Sequence, residues 1–295
     1  MTIERTSTTK IREIVSALNR ADLTAIDYNH LLTQVGILIK GIPLIVQSLP
    51  VGTTLYRGRI CSERLCEVSY LGSPPAELVT SFQRCNGPGK PMFYASVDIA
   101  AVFSELNADV GNIVYLSSWI VDREFFYFRI PPGAGEGMED DVAFSKIETF
   151  FETRFAQPVH ETFSAQYKLT SAITEKLSTG NVLGPPEQLK GRPLGAVVYP
   201  SVAHTSRSDN IAIQTLVAQS CLRLSDVREM EVMERQAESL TVREINFSSN
   251  FEDEHIKWLG RPRQWTLNSM ETLSFTVENG AWVARTEDGT IINPS

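Results

Sequence analysis

From Leu55 onward the chain is written in short runs of β-branched and aromatic residues, and this pattern limits its fold more than any other feature. The runs cover 53–59, 91–95, 112–121, 124–130, 196–199 and 211–217. Turn residues separate them, so they predict strands. Between the second and third runs the period changes. Ile99, Val102, Phe103 and Leu106 form the apolar stripe of a helix that Ser96 can cap. A further helix is expected over 165–177. Strands outnumber helices and the two do not strictly alternate, which favours an α+β domain over a doubly wound parallel sheet.

The two ends read differently. Residues 9–49 read as helical: Ile11, Ile14, Val15 and Leu18 fall at i, i+3, i+4 and i+7, and Asp22 can cap a second helix through Leu31, Leu32, Ile37 and Leu38. Gly41 and Pro43 end or kink it. After about 222, the runs 272–277 and 281–285 flank Glu278-Asn279-Gly280. Asn-Gly is a strong hairpin signal, so a small β-meander is expected there. The segment 228–239 fits helix and strand equally. The expected organisation is a helical region over 1–52, a core over 53–221 and a β-rich extension over 222–295.

Composition removes several functions. The chain has 27 Lys and Arg against 35 Asp and Glu, a net charge of −8. That is no footprint for duplex nucleic acid, where affinity comes from cations on phosphates. The most apolar stretch, 35–51, is broken by Lys40, Pro43, Gln47 and Pro50, too short and interrupted for a spanning helix. The first twenty residues lack the apolar core of a signal peptide, so a cytoplasmic site of action is expected, with no membrane partner. Cys61, Cys66, Cys85 and Cys221 make no C-x-x-C pair and are expected to be buried free thiols. His160-Glu161 begins like a zinc-protease helix, but position 164 is Ser, and no metal site is expected. Gly133, Gly135 and Gly137 form a glycine-rich loop, which Glu136, Glu139, Asp140 and Asp141 make hostile to phosphate. Gly87-Pro88-Gly89-Lys90 lacks the spacing of a phosphate-binding loop.

Four short segments carry more information. Leu55-Tyr56-Arg57 places an Arg in a strand-like run. Arg84-Cys85-Asn86-Gly87-Pro88-Gly89 leads into Met92-Phe93-Tyr94-Ala95-Ser96. Glu105 follows on the helix. Val197-Val198-Tyr199-Pro200-Ser201 ends a later strand, and Asn210 opens the next. In order and spacing these segments resemble the RES domain, a family named for an Arg, a Glu and a Ser, over about 53–218. Its pattern is roughly Y-R, then R-W-N-x-x-G with Y-x-S, then Glu, then Y-P-S. Cys85 stands where the family has Trp.

The resemblance implies an ADP-ribosyltransferase-like mixed β core with the two arms added to it. It also implies NAD as substrate with no further cofactor, and a toxin that breaks the nicotinamide–ribose bond by hydrolysis or phosphorolysis. A neutralising antitoxin or immunity partner would go with it; homo-oligomerisation stays open. Protein ADP-ribosylation on the same fold is an alternative, as is an inactive partner-binding module, which Cys85 keeps open. Carried over residue by residue, the match nominates Glu105, Arg57 and Ser201 as catalytic, with Tyr56, Arg84, Tyr94 and Asn210 binding substrate. These residue types suit the chemistry. Arg57 and Arg84 can offer planar forks to a pyrophosphate, Glu105 can stabilise positive charge building on the sugar, and Tyr94 can stack on a ring. Ser201 can bond the ribose or Glu105. Glu105 also sits near a helix C-terminus, where the dipole disfavours an anion by up to about 1 kcal/mol.

Overall fold

The predicted strands pair side by side into one mixed sheet of twelve, with helices on both faces, in a computed structural model of the chain. The fold is α+β. The structure describes residues 4–42, 44–133, 141–159, 161–178, 193–201, 209–236, 239–260, 272–278, 281–286 and 288–292. The strands are β1 (Val46–Leu49), β2 (Thr54–Ile60), β3 (Met92–Ser96), β4 (Ile113–Val121), β5 (Phe125–Arg129), β6 (Leu194–Pro200), β7 (Asp209–Gln214), β8 (Leu222–Gln236) and β9 (Ser239–Ser248). They continue with β10 (Phe251–Glu252), β11 (His255–Ile256), β12 (Thr272–Glu278), β13 (Ala281–Thr286) and β14 (Ile291–Ile292). The helices are α1 (Thr8–Arg20), α2 (Tyr28–Ile39), α3 (Ile99–Glu105), α4 (Val142–Phe155), α5 (Lys168–Ser178) and α6 (Thr215–Cys221).

The order across the sheet is β1-β5-β6-β7-β3-β2-β4-β8-β9-β12-β13-β14, with β10 and β11 forming a separate ribbon. Every neighbouring pair is antiparallel except β5 with β6. The boundaries expected near 52 and 221 fall within this sheet, since β1 joins β5 and β8 joins β4. The hairpin expected at the end of the chain is β12–β13, with Glu278 opposite Ala281.

Tyr56, Ser96, Asn210 and Tyr199 stand opposite one another across β2, β3, β7 and β6, so their side chains share a face. On that face α1, α2, α4 and α5 cover one half of the sheet. Ile11, Leu31, Phe144, Phe151 and Ile173 join Phe128, Val197, Tyr199 and Ala212 in one core. The helix α3 covers the other half, where Ile99 and Phe103 pack with Leu116, Met230, Val242 and Ala284. On the opposite face α6 packs with Phe93, Val198 and Ile211. Arg5 forms an ion pair with Asp141, whose Oδ1 also accepts from the Ala143 and Phe144 amides at the start of α4. The guanidinium and these amides hold the Asp141 carboxyl below the usual range.

Several local expectations change. The stretch 9–49 is not helical throughout: its last residues form the edge strand β1, because the helical pattern stops at Ile39 and Val46–Leu49 finds the free side of β5. The run 211–217 ends as a strand at Gln214 and turns into α6. Ser96 is not the cap of α3. Asp98 is, its Oδ1 accepting from Ala100 N at 2.8 Å. Ser96 instead donates to Asp209 O, binding β3 to β7. The four thiols are free, but only Cys85 and Cys221 are buried; Cys61 is half-buried and Cys66 exposed.

Gly58 decides how closely α3 can approach. A Cβ there would lie 2.5 Å from Leu106 Cδ1 and 2.7 Å from Val102 Cγ1. Gly58→Ala is therefore expected to push α3 off β2 and to cost about 1–3 kcal/mol, as overpacked sites do. Denaturant unfolding checks this, and an unchanged midpoint would mean that the helix is not held by this contact.

Candidate active site

The strands β2 and β3 pair at one rung, Tyr56 opposite Ser96. By contrast β2 pairs β4 from Thr54 to Ile60, and β3 pairs β7 along its whole length. The sheet is therefore split between β2 and β3, and Arg57 bridges the gap. Its Nη1 donates to Tyr94 O at 2.8 Å and its Nε to Leu71 O at 3.2 Å, while the guanidinium lies over the Phe93 ring at 5.1 Å. A charged side chain thus satisfies a β3 carbonyl that a ladder amide would otherwise take. Burial, helped by Arg59, draws the Arg57 pKa down to about 10, which still leaves it cationic at neutral pH.

A cleft of about 240 Å³ opens at this split, lined by Tyr56, Arg57, Tyr94, Glu105, Tyr199 and Asn210 among others. The carboxylate of Glu105 is the most constrained group in it. Its Oε1 accepts from Ser201 Oγ and from Asn210 Nδ2, the latter at 2.8 Å. Both donors are buried and come from neighbouring strand ends, since Tyr199 faces Asn210 and Pro200 faces Asp209 across β6 and β7. The glutamate itself is exposed at the end of α3. Among the described residues none donates a hydrogen bond to its Oε2. Two strand-end donors thus offset the unfavourable helix-end position expected for this anion.

Tyr94 presents its ring, because its hydroxyl is occupied. The hydroxyl donates to Asn86 Oδ1 and accepts from Cys85 N at 3.1 Å. Burial raises the pKa values of Tyr56, Tyr94 and Tyr199, so all three stay neutral. Burial likewise pushes the Cys85 thiol up to about 12. Cys85 packs within the main core, so the position that holds Trp in the RES pattern is a structural thiol here.

Six of the seven nominated residues meet at this place. Tyr56, Arg57, Tyr94, Glu105 and Asn210 line the cleft, and Ser201 holds Glu105. Arg84 does not line it. Its Nη1 donates to Phe155 O and Gln157 O, and its guanidinium lies against the rings of Tyr167 and Tyr199 at 5.2 and 6.0 Å. This arginine ties the loop before β3 to the end of α4, its Nη1 donating to the two carbonyls and its Nη2 to the Tyr167 hydroxyl at 3.4 Å. Sequence reasoning did not single out Tyr199 or Gly58 as parts of the cleft. Gly58 did carry a signal: a glycine inside a strand marks a place where something approaches closely.

Glu136, Glu139, Asp140, Gly135, Gly137 and His160 lie outside the described residues, as do Arg261, Arg263 and Trp265 in the C-terminal extension. Among the described residues no three His, Cys, Asp or Glu side chains gather as a metal site. No described helix is long and apolar enough to cross a membrane. A scan against protein-family models and a search of curated proteins both found no match for the chain.

Proposed function

We propose that the chain cleaves the nicotinamide–ribose bond of NAD, as its resemblance to RES domains implies. The observation that carries this reading is the Glu105 carboxylate, held on one oxygen by Ser201 and Asn210, beside a cleft with a cation and three tyrosines. Pockets for whole drug-sized ligands run to about 300–1,000 Å³. A cleft of about 240 Å³ therefore suits one half of a dinucleotide, the nicotinamide riboside end.

In this reading the C1′–N bond breaks and its electron pair leaves with nicotinamide, neutralising the pyridinium. Positive charge passes to the ribose, and Glu105 stabilises it electrostatically. Water or phosphate then attacks C1′ and loses a proton. Nicotinamide leaves as a neutral base, so the mechanism calls for no strong acid. The Tyr94 ring offers a stacking surface, and Arg57 keeps the split open and polar. Acting in the cytoplasm as a toxin with a neutralising partner belongs to the same proposal. The exposure of Glu105 favours a second reading, transfer of ADP-ribose to a protein, because an acceptor side chain can reach it.

Purified protein incubated with NAD is expected to release nicotinamide in the presence of a metal chelator. Chromatography with mass detection, with and without phosphate, identifies the other product. Release only when an acceptor protein is added would favour the second reading, and loss of release on chelation would overturn a mechanism carried by side chains alone.

A further inference from the structure

A second concavity lies on the opposite side of the sheet split. It encloses about 1,050 Å³, more than four times the cleft, and the proposed bond cleavage makes no use of it. Its walls include Arg59, Tyr70, Phe93, Trp119, Arg223 and Phe251. Arg57 and Arg59 are two residues apart on β2 and so leave the strand on the same side. The ring beneath Arg57, Phe93, is part of the groove wall.

The charges in this groove are uneven. Arg223 is paired with Asp122 at 3.0 Å, and Glu254 adds one carboxylate to the lining. Arg59 has no carboxylate partner among the described residues. It donates to Tyr70 O at 2.7 Å and lies over the Tyr70 ring at 5.8 Å. Among the described residues its neighbour Arg57 likewise donates only to backbone carbonyls. Two guanidinium groups held close together repel each other, and the fall in the Arg57 pKa, due first to burial, partly reflects this. Rings that can stack, beside a cation with no carboxylate partner among the described residues, are the groups that recognise a planar base carrying a phosphate.

We propose that this groove binds a mononucleotide unit, with Arg59 on its phosphate and Tyr70 and Trp119 against its base. The unit can be a separate mononucleotide or the adenylate half of a dinucleotide whose other half fills the cleft. The second source rests on NAD cleavage as the function; the first does not.

AMP titrated calorimetrically into the full chain tests the site without requiring turnover. Binding to the unmodified protein is expected, weakened about tenfold to a hundredfold by Arg59→Ala, as for a lost hydrogen bond to a charged group. Glu105→Gln, which lies in the cleft, should leave AMP binding unchanged. Trp119→Phe keeps a ring and should retain binding while removing the fluorescence quench that AMP causes. NAD titrated into Glu105→Gln protein separates the two sources. If Arg59→Ala in that background weakens NAD as much as AMP, one dinucleotide spans both places; if it weakens AMP alone, the ligand is separate. No binding of AMP at millimolar concentration, or an affinity that Arg59→Ala leaves unchanged in folded protein, would overturn the proposal.

Discussion

Glu105→Gln protein is expected to fold normally, keep nearly the same KM for NAD, and turn it over about a hundred to a thousand times more slowly, the range for losing one preorganised electrostatic group. Gln has the shape of Glu, and its amide oxygen can still accept from Ser201 and Asn210, the two donors that fix Oε1. In the proposed reaction, what disappears is the negative charge beside a sugar that becomes positive only as its bond breaks. An interaction made mainly in the transition state falls on kcat and spares KM. Steady-state kinetics with a melting curve as the folding control decide the matter. A folded Glu105→Gln protein with near-normal kcat would remove the case for Glu105 and, with it, most of the case for NAD cleavage.

Arg228→Met should produce the largest loss of stability, about 3–5 kcal/mol. Arg228 lies almost wholly buried between two carboxylates, with Nη2 at 3.4 Å from Asp226 Oδ1 and Nε at 3.4 Å from Glu244 Oε2. Ser118 Oγ also donates to Asp226 at 2.9 Å. Met fills much of the volume but takes the Arg228 cation away from two buried acids. At least one of them then has a folded-state pKa above its unfolded value. Such a group adds stability below its unfolded pKa and loses it as pH rises through the folded one. The defect is therefore expected to be largest at neutral pH and to shrink towards about pH 4, near the unfolded carboxyl values. Denaturant unfolding of both proteins across that range measures it; a difference that does not vary with pH would mean that the acids keep another cation.

The sequence carried the elements whose side chains speak for themselves. The Asn-Gly signal placed the β12–β13 hairpin, and the stripe Ile99, Val102, Phe103 placed α3. Two elements were hidden. The helix α4 has an apolar stripe of its own in Phe144, Ile147, Phe151 and Phe155, but the acid- and glycine-rich stretch before it read as one long loop. Asp141 belonged to that loop by charge and to the helix by its capping bonds. The strand β8 is rich in Arg, Glu, Met and Gln, good helix formers, yet it pairs along β4 and β9. Pairing on both sides outweighs a local preference of a few tenths of a kcal/mol per residue. In the site, the resemblance to the RES pattern nominated Tyr56, Arg57, Tyr94, Glu105, Ser201 and Asn210, and the structure brings them together. The resemblance could not show that Arg84 spends its guanidinium on Phe155, Gln157 and Tyr167, because which acceptors end up near a cation depends on packing between elements distant in the chain.

The helix that carries Glu105 rests partly on Ala284, a residue of the penultimate strand. A chain emerges from the ribosome amino end first, and its segments begin to fold in that order. The apolar bed under Ile99 and Phe103 is therefore unfinished until Ala284, some 180 residues after them in the chain, has been made. An unfinished copy would hold Tyr94 and Arg57 but leave the glutamate on a loosely seated helix. Synthesis itself thus delays the firm seating of the helix that carries Glu105 until β13 has joined the sheet.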